Sequence, residues 1–271
     1  DWFFSQDEFL VLGGRLRWVD EQRAVEPVEL RDLQVVVRNG HRRHQMRIDA
    51  TPDAEWGQRF TLMGQFRQPV FSRHAGYWKD WVGELYADVP HADVSRLRQY
   101  VDLSTDWGVD LRQGQGAVRL WAQAVKGQLT GATADLALGA VSVSFDPKLE
   151  PLSFTSLTGR VDWRGQNRGL ALSTEGLKFV DADGLAWPGG NFRFNYREPM
   201  GADRGGGTLA GERLDLAALA KIASRLPRPA VAHERLRAHP VKGLVDSLDA
   251  RWDGLLNAPS DWRVRTRVSD L

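Results

Sequence analysis

The chain has 271 residues, of which 42% are hydrophobic and 26% are charged, a balance typical of a folded domain rather than of a disordered segment. Lys and Arg number 36 against 35 for Asp and Glu, a formal net charge of +1, so the chain lacks the basic surplus of a nucleic-acid-binding protein. No apolar run approaches the length of about 18 residues that indicates a transmembrane helix. The absence of cysteine excludes thiol catalysis, disulfides and Cys-based zinc sites.

The two ends of the sequence indicate a piece of a larger protein. The chain opens Asp1-Trp2-Phe3-Phe4, without Met and without a basic leader segment. It stops at Val268-Ser269-Asp270-Leu271, within an alternating apolar and polar pattern. We therefore expect residues 1–271 to be one fragment of a longer chain.

Alternation of apolar and polar residues with a period of two recurs from end to end and predicts strands with one apolar face. Asn39-Gly40 follows the first clear set and is a strong hairpin signal. No set is apolar on both faces, as a parallel-sheet strand would be. We expect a mainly β, antiparallel fold whose apolar positions include Val35, Val37, Ile48, Leu62, Leu120, Val143, Val161 and Phe194.

Helical signals are few. Asp93 is a candidate N-cap for a short helix with an apolar face of Val94, Leu97 and Val101. Asp215 is a candidate N-cap for a second helix, which Pro227 would end and whose apolar face is Leu216, Leu219 and Ile222. A third helix is possible over residues 230–238, between two prolines. We expect two or three short helices.

The two better helices lie in matching contexts. A strand at Gly83–Ala87 precedes Asp93, and a strand at Gly207–Gly211 precedes Asp215. After each helix a glycine opens a new strand. This pattern predicts loose repeat units at about 9–115 and 116–242, with a third beginning near 243, and hence an elongated body built from repeats.

Six segments share a recognisable pattern of structural spacings: Leu16-Arg17-Trp18, Val35–Gly40, Trp81–Tyr86, Gly116–Trp121, Leu157–Arg160 and Gly189–Phe192. Together they resemble the central region of the YhdP family, which is AsmA-like. The resemblance covers the chain from about Phe9 to Leu271.

The resemblance implies an elongated, twisted antiparallel sheet with an apolar groove, as in AsmA/TamB-like proteins. It implies a location in the periplasm of a Gram-negative bacterium, as part of a protein held in the inner membrane by an anchor that this fragment lacks. The implied function is non-enzymatic: binding or conducting lipid, in support of phospholipid transport between the inner and outer membranes. The implied partners are phospholipid acyl chains and the inner membrane. The resemblance carries over no catalytic residue, and neither the resemblance nor the sequence predicts a cofactor.

Metal-binding signals are weak. Asp181-Ala182-Asp183-Gly184 has the opening spacing of a calcium loop, but the glutamate that completes such a loop is missing, and a hairpin turn is the preferred interpretation. The histidines, His44 among them, are interpreted as surface residues because no convergent ligands accompany them. We predict no metal site.

The eight apolar strand positions have two interpretations. They can form a closed core beneath a second layer, or a groove open to acyl chains. The predicted helices are too few to cover about a dozen strands, which favours the groove. The alternative function is a β-sandwich module that binds a glycan or a protein. Four tryptophans lie outside the strand patterns and are interpreted either as rim or membrane-interface residues or as ordinary surface residues: Trp56, Trp78, Trp107 and Trp187.

Overall fold

The computed structural model describes residues 4, 6–19, 27–70, 77–93, 95, 110–144, 146, 148–166, 168–187, 189–225, 243–256 and 258–269. Within these residues the chain is mainly β. The strands are β1 (Glu8–Trp18), β2 (Val28–Asn39), β3 (Arg43–Pro52), β4 (Phe60–Arg67), β5 (Val82–Asp93), β6 (Asp110–Val125), β7 (Gln128–Ser144), β8 (Leu152–Gln166), β9 (Gly169–Asp181), β10 (Ala186–Trp187), β11 (Asn191–Arg197), β12 (Gly206–Asp215), β13 (Leu244–Leu255) and β14 (Ala258–Ser269).

The strands form one large open sheet in which, β10 apart, each strand lies beside its neighbours in sequence. The order runs from β1 to β9 and continues through β11 to β14, while the two-residue β10 pairs with β9 alone. The pairing is antiparallel, as in β1 with β2, β8 with β9 and β13 with β14. The prediction of a mainly β, antiparallel fold is confirmed.

The hairpin predicted at Asn39-Gly40 joins β2 to β3. The Gly40 N–H donates a hydrogen bond of 2.7 Å to the Arg43 carbonyl. Further along β2, one extra residue lies between Arg31 and Gln34 relative to β3, and Asp32 has a φ of 49°. This β-bulge shifts the register of the pairs on its far side from the hairpin, Leu30 with Pro52 and Arg31 with Thr51.

Contacts between residues divide the chain into two compact units. One unit comprises residues 1–99 and 116–135, and the other comprises residues 100–115 and 136–271. Strands β1–β5 belong to the first unit and β8–β14 to the second, while β6 and β7 contribute to both. The repeat boundaries expected from the sequence stay a prediction.

The second unit has a closed core at one end of its strands. Its buried members are Phe179, Trp187, Leu214, Ala218 and Val245. The helix predicted after Asp215 is confirmed as α1 (Leu216–Ser224), and the Asp215 carboxylate accepts a hydrogen bond of 2.8 Å from the Ala218 N–H. Its predicted apolar face packs on this core through Leu216, Leu219 and Ile222.

Other helical and tryptophan predictions have mixed outcomes. Val94, Leu97 and Val101, the proposed helix over 230–238 and Trp107 lie outside the described residues. A short 3-10 helix spans Trp78–Asp80, with Trp78 exposed. The surface interpretation is wrong for Trp56 and Trp187, which are 8% and 4% exposed. Trp187 is buried because β10 pairs with β9 and stacks its indole on Phe179 at 5.5 Å between centroids.

Candidate functional site

The first unit carries a continuous apolar surface across four strands. Val35 of β2 pairs with Ile48 of β3, Ile48 pairs with Leu62 of β4, and Leu62 pairs with Ala87 of β5. Because paired residues project from the same face of a sheet, these side chains form a row. A parallel row runs beside it, and the two rows together are termed the first apolar surface: Val35, Val37, Met46, Ile48, Leu62, Gly64, Leu85 and Ala87.

Leu120 of β6 projects from the same face. On the opposite face, Tyr86 of β5 contacts Trp121 with ring centroids 5.5 Å apart. On that same opposite face, Asp88 of β5 forms an ion pair with Arg119, with 3.6 Å between Oδ2 and Nη2. Since side chains alternate along a strand, Leu120 points to the side away from both contacts. The first apolar surface therefore extends onto β6.

Solvent reaches part of this surface. Val37 is only 3% exposed, whereas Leu62, one strand beyond Ile48, is 38% exposed. Val35 and Ile48 are half-buried. The surface is thus buried at Val37 and accessible to water at Leu62, unlike the fully buried face of a closed core.

An aromatic cluster closes one end of the first apolar surface. Its members are Phe4, His44, Phe66 and Trp81. The imidazole of His44 stacks on the indole of Trp81, with centroids 4.1 Å apart and planes 2° apart. Phe4 meets the same indole edge-on at 5.0 Å, and Phe66 lies 5.8 Å from it. Gly83, paired with Phe66, leaves the space that this ring requires.

Beside the aromatic cluster lies a cavity of about 310 Å³. This volume is at the lower end of the range for small-molecule sites. No charged side chain lines it. The lining residues, all within the first unit, are Phe4, Met46, Phe66, Trp78, Trp81, Leu85, Ala124, Gly127 and Leu129. The arrangement fits an apolar ligand segment.

His44 is buried in this cluster and is 2% exposed, so the surface interpretation is wrong for it. Its Nδ1 lies 2.8 Å from the Asn39 side-chain oxygen, and the Asn39 amide nitrogen donates to the Gln6 carbonyl. The oxygen therefore accepts from Nδ1, which carries the proton in the neutral ring. Burial lowers the pKa of His44, an effect that the Gln68 side chain partly opposes.

The opposite face of the first unit is polar. Asp49 of β3, 6% exposed, accepts two hydrogen bonds from Arg47, at 2.7 and 3.1 Å, and one from the Thr61 hydroxyl at 2.6 Å. The hydrogen bond from Arg47 is the main reason that the pKa of Asp49 is lowered, with smaller help from Thr61 and Arg59 against the cost of burial. The Asp49 carboxylate is thus occupied by Arg47 of its own strand and by Thr61 of the neighbouring strand β4.

The second unit carries its own apolar row, which crosses six strands. Each residue of the row is the direct antiparallel partner of the next residue, on the neighbouring strand. We term this row the second apolar surface: Trp163, Leu172, Phe194, Leu209, Ala250 and Val264. Phe194 also lies 5.9 Å from the ring of Trp252, and Val264 on the terminal strand is 45% exposed.

Strand register places Val35, Val37, Ile48 and Leu62 on one face in the first unit, and it places Val161 and Phe194 on one face in the second. The first unit holds Val35, Val37, Ile48, Leu62 and Leu120, and the second holds Val143, Val161 and Phe194. Val161 lies two residues before Trp163 on β8, on the same face of the sheet, and it pairs with Thr174 of β9. Contact of any of these residues with lipid stays a prediction. The helix residues Leu216, Leu219 and Ile222 serve the closed core instead of an open surface.

The Asp181–Gly184 segment is a hairpin turn, as the sequence favoured. The Gly184 N–H donates to the Asp181 carbonyl at 3.1 Å, and the Asp181 carboxylate accepts from the N–H groups of Asp183 and Leu185 at 2.9 and 2.8 Å. Lys221 of α1 forms ion pairs with Asp181 and Asp183. An ammonium group from the chain itself thus satisfies the two carboxylates.

Burial raises the pKa of Asp181, but the hydrogen bond from Lys221 and those from the two backbone N–H groups outweigh burial, so the pKa is lowered overall. Hydrogen bonds to Asp181 and Asp183 also raise the pKa of Lys221, against the opposing effect of burial.

Sequence reasoning missed the aromatic cluster. One signal was available: His44 falls in the apolar phase of β3, together with Met46, Ile48 and Ala50. A histidine in that phase faces the apolar side of the sheet. The stacking partner, Trp81, precedes β5, so no local pattern joins it to β3.

Among the described residues, no three His, Asp or Glu side chains converge as metal ligands would. In the same part of the chain, no helix has both the length and the apolar character to cross a membrane. The family model described as YhdP protein matches residues 1–271. No curated protein and no solved structure matches the chain significantly.

Proposed function

The chain belongs to the YhdP family, and on that premise we propose that it binds the acyl chains of phospholipids along its two apolar surfaces. In this proposal the chain is a non-enzymatic segment of a bacterial envelope protein. It lies in the periplasm, in a parent protein anchored in the inner membrane, and supports phospholipid transport between the inner and outer membranes.

The observation that carries the proposal is the half-exposed state of both apolar surfaces. Apolar residues stand in cross-strand rows, yet Leu62 is 38% and Val264 is 45% exposed. Contiguous apolar area that stays accessible to water is typical of binding surfaces. A row of aliphatic and aromatic side chains without charges suits an acyl chain, which offers no hydrogen-bonding group.

The contacts of the carboxylates and the histidine whose pKa values are lowered support a non-enzymatic function. Asp49 is bound by Arg47 and Thr61, and Asp181 is bound by Lys221 and two backbone N–H groups. His44 is buried within the aromatic cluster. A catalytic group needs a perturbed pKa together with access to a reactant, and each of these three is engaged in structural contacts.

The alternative of a β-sandwich binding module receives less support. A sandwich packs two antiparallel sheets against each other. The described strands instead belong to one open sheet.

Lipid content of the purified chain tests the proposal. Native mass spectrometry followed by lipid extraction should find phospholipid bound to the parent protein. Leu62→Glu in the first unit and Phe194→Glu in the second place a charge on each apolar surface. Both variants should fold and lose bound lipid, because these positions leave the added carboxylate in contact with water.

The matched control is Asn195→Glu, which adds the same charge to the next residue of β11, on the polar face. Its lipid content should equal that of the parent. Parent protein free of lipid, together with unfolding of both apolar-surface variants, would show that the surfaces are closed cores.

A further inference from the structure

Two arginines lie directly opposite each other on the polar face of the first unit. Arg43 of β3 pairs in register with Arg67 of β4, and Arg67 pairs with Val82 of β5. Among the described residues, neither guanidinium has an ion-pair or hydrogen-bond partner. Like charges directly opposite on neighbouring strands destabilise a sheet. The pair is therefore an electrostatic cost that an anion would remove.

The arginines line a concavity of about 650 Å³ within the first unit. Gln45, Gln65 and Gln123 add amide groups to its wall, and Glu84 adds one acidic side chain. Arg42, a further lining residue, donates to the Gln68 carbonyl through Nε and Nη2 at 3.1 and 2.9 Å. Three arginines against one glutamate leave the concavity positive, although the whole chain is nearly neutral.

The rim of the concavity is partly apolar. Val82 and Val125 belong to its lining and are 46% and 37% exposed. A small inorganic anion gains nothing from two valines, whereas a phosphate ester with an apolar substituent can contact them while its phosphate meets the arginines.

We propose that Arg43 and Arg67 bind a phosphate group in this concavity. Guanidinium groups form paired, charge-assisted hydrogen bonds with phosphate oxygens, and an Arg fork matches that planar geometry. The amides of Gln45 and Gln65, paired with each other beside the arginines, supply further donors. The phosphate source is either a lipid headgroup or free inorganic phosphate. Assignment of the phosphate to a lipid headgroup rests on the proposed function, whereas the presence of a phosphate site does not.

Titration calorimetry of the full chain tests the site with two probes, inorganic phosphate and monomeric dihexanoyl phosphatidylglycerol. The parent should bind at least one of them. The double variant Arg43→Gln/Arg67→Gln should bind it about tenfold more weakly or worse, since each lost charge-assisted contact is worth roughly that factor. Tighter binding of the lipid probe than of phosphate assigns the site to headgroups, and equal binding assigns it to phosphate alone.

The matched control is Arg193→Gln/Arg265→Gln, which removes the same charge from exposed positions of the second unit. It should retain the affinity of the parent. The melting temperature gives an independent readout: without probe the Arg43/Arg67 variant should melt at or above the parent temperature, because repulsion is relieved. Probe should raise the melting temperature of the parent and not of the variant.

Equal affinity of the parent and the Arg43/Arg67 variant, or no binding of either probe, would disprove the phosphate site. This test and the test of acyl-chain binding can fail independently of each other. Loss of co-purifying lipid in Leu62→Glu tests the apolar surface, and loss of phosphate binding in Arg43→Gln/Arg67→Gln tests the polar one.

Discussion

His44 and Trp81 stack face to face, 4.1 Å between ring centroids, at a point where the apolar face of a sheet ends. The imidazole is a polar ring held where a hydrophobic side chain would ordinarily pack, and its Nδ1 proton is used by Asn39. Its protonation state is thereby tied to folding.

The first prediction concerns pH. Burial lowers the pKa of His44 in the folded state, so the unfolded chain takes up a proton first as pH falls below about 6.5. The stabilisation is complete above that value and is lost as pH falls from it towards the folded-state pKa. Urea unfolding between pH 7.5 and 5.5 should show the decline. His44→Phe should flatten it, and an unchanged slope in that variant would contradict the assignment.

The second prediction concerns close approach of strands. A Cβ added at Gly83 would lie 2.2 Å from the Gln65 carbonyl oxygen and 2.5 Å from the Phe66 ring. Gly83→Ala should cost about 1–3 kcal/mol in the free energy of unfolding, as overpacking does. Gly139→Ala, whose Cβ would meet its nearest atom at 3.6 Å, is the control. It should change stability by less than about 1 kcal/mol, and equal costs would refute the packing argument.

The third prediction separates the closed core from the open surface. Leu214 is 3% exposed within the core beneath α1, whereas Leu62 is 38% exposed. Leu214→Ala should lower the free energy of unfolding by about 2–5 kcal/mol, the range for buried leucines. Leu62→Ala should lower it by less, about 1 kcal/mol, because much of that side chain is already in water. Chemical denaturation decides, and comparable losses would mean that Leu62 is covered.

The fourth prediction concerns Lys221 and divalent metals. Because its ammonium group already pairs with Asp181 and Asp183, calcium and zinc should leave the melting temperature unchanged. Lys221→Gln should destabilise by about 1–3 kcal/mol through the loss of charge-assisted hydrogen bonds to a buried carboxylate. Lys178→Gln, at an exposed position of β9, should be neutral. A rise in melting temperature with calcium that a chelator reverses would show that metal displaces the lysine.

The sequence was sufficient to predict the strands and their apolar phases because both depend on local patterns. The Asn39-Gly40 hairpin fixes the register of β2 and β3, so Val35 and Ile48 meet as expected. The Asp215 cap and the helix after it were equally local, since a side chain and a backbone N–H three residues apart define them.

Other features were beyond local reasoning. Trp81 reaches His44 across an intervening strand, and Trp187 is buried because the two-residue β10 folds back on β9. Arg43 and Arg67 face each other only once the β3–β4 register is known. Each of these depends on which residues become cross-strand neighbours, and a period of two specifies a face without specifying a neighbour.

The sequential order of the strands has a consequence for how the chain reaches this structure. From β1 to β5 each strand pairs with the next strand in sequence, so each interface closes over a short stretch of chain. Low sequence separation between contacts favours fast folding, and sheets of this kind can grow one hairpin at a time. Among the described residues β1 pairs with β2 alone, so local opening of the sheet should begin at β1. Amide hydrogens of β1 should therefore exchange with solvent earlier than those of β3, which is paired on both sides.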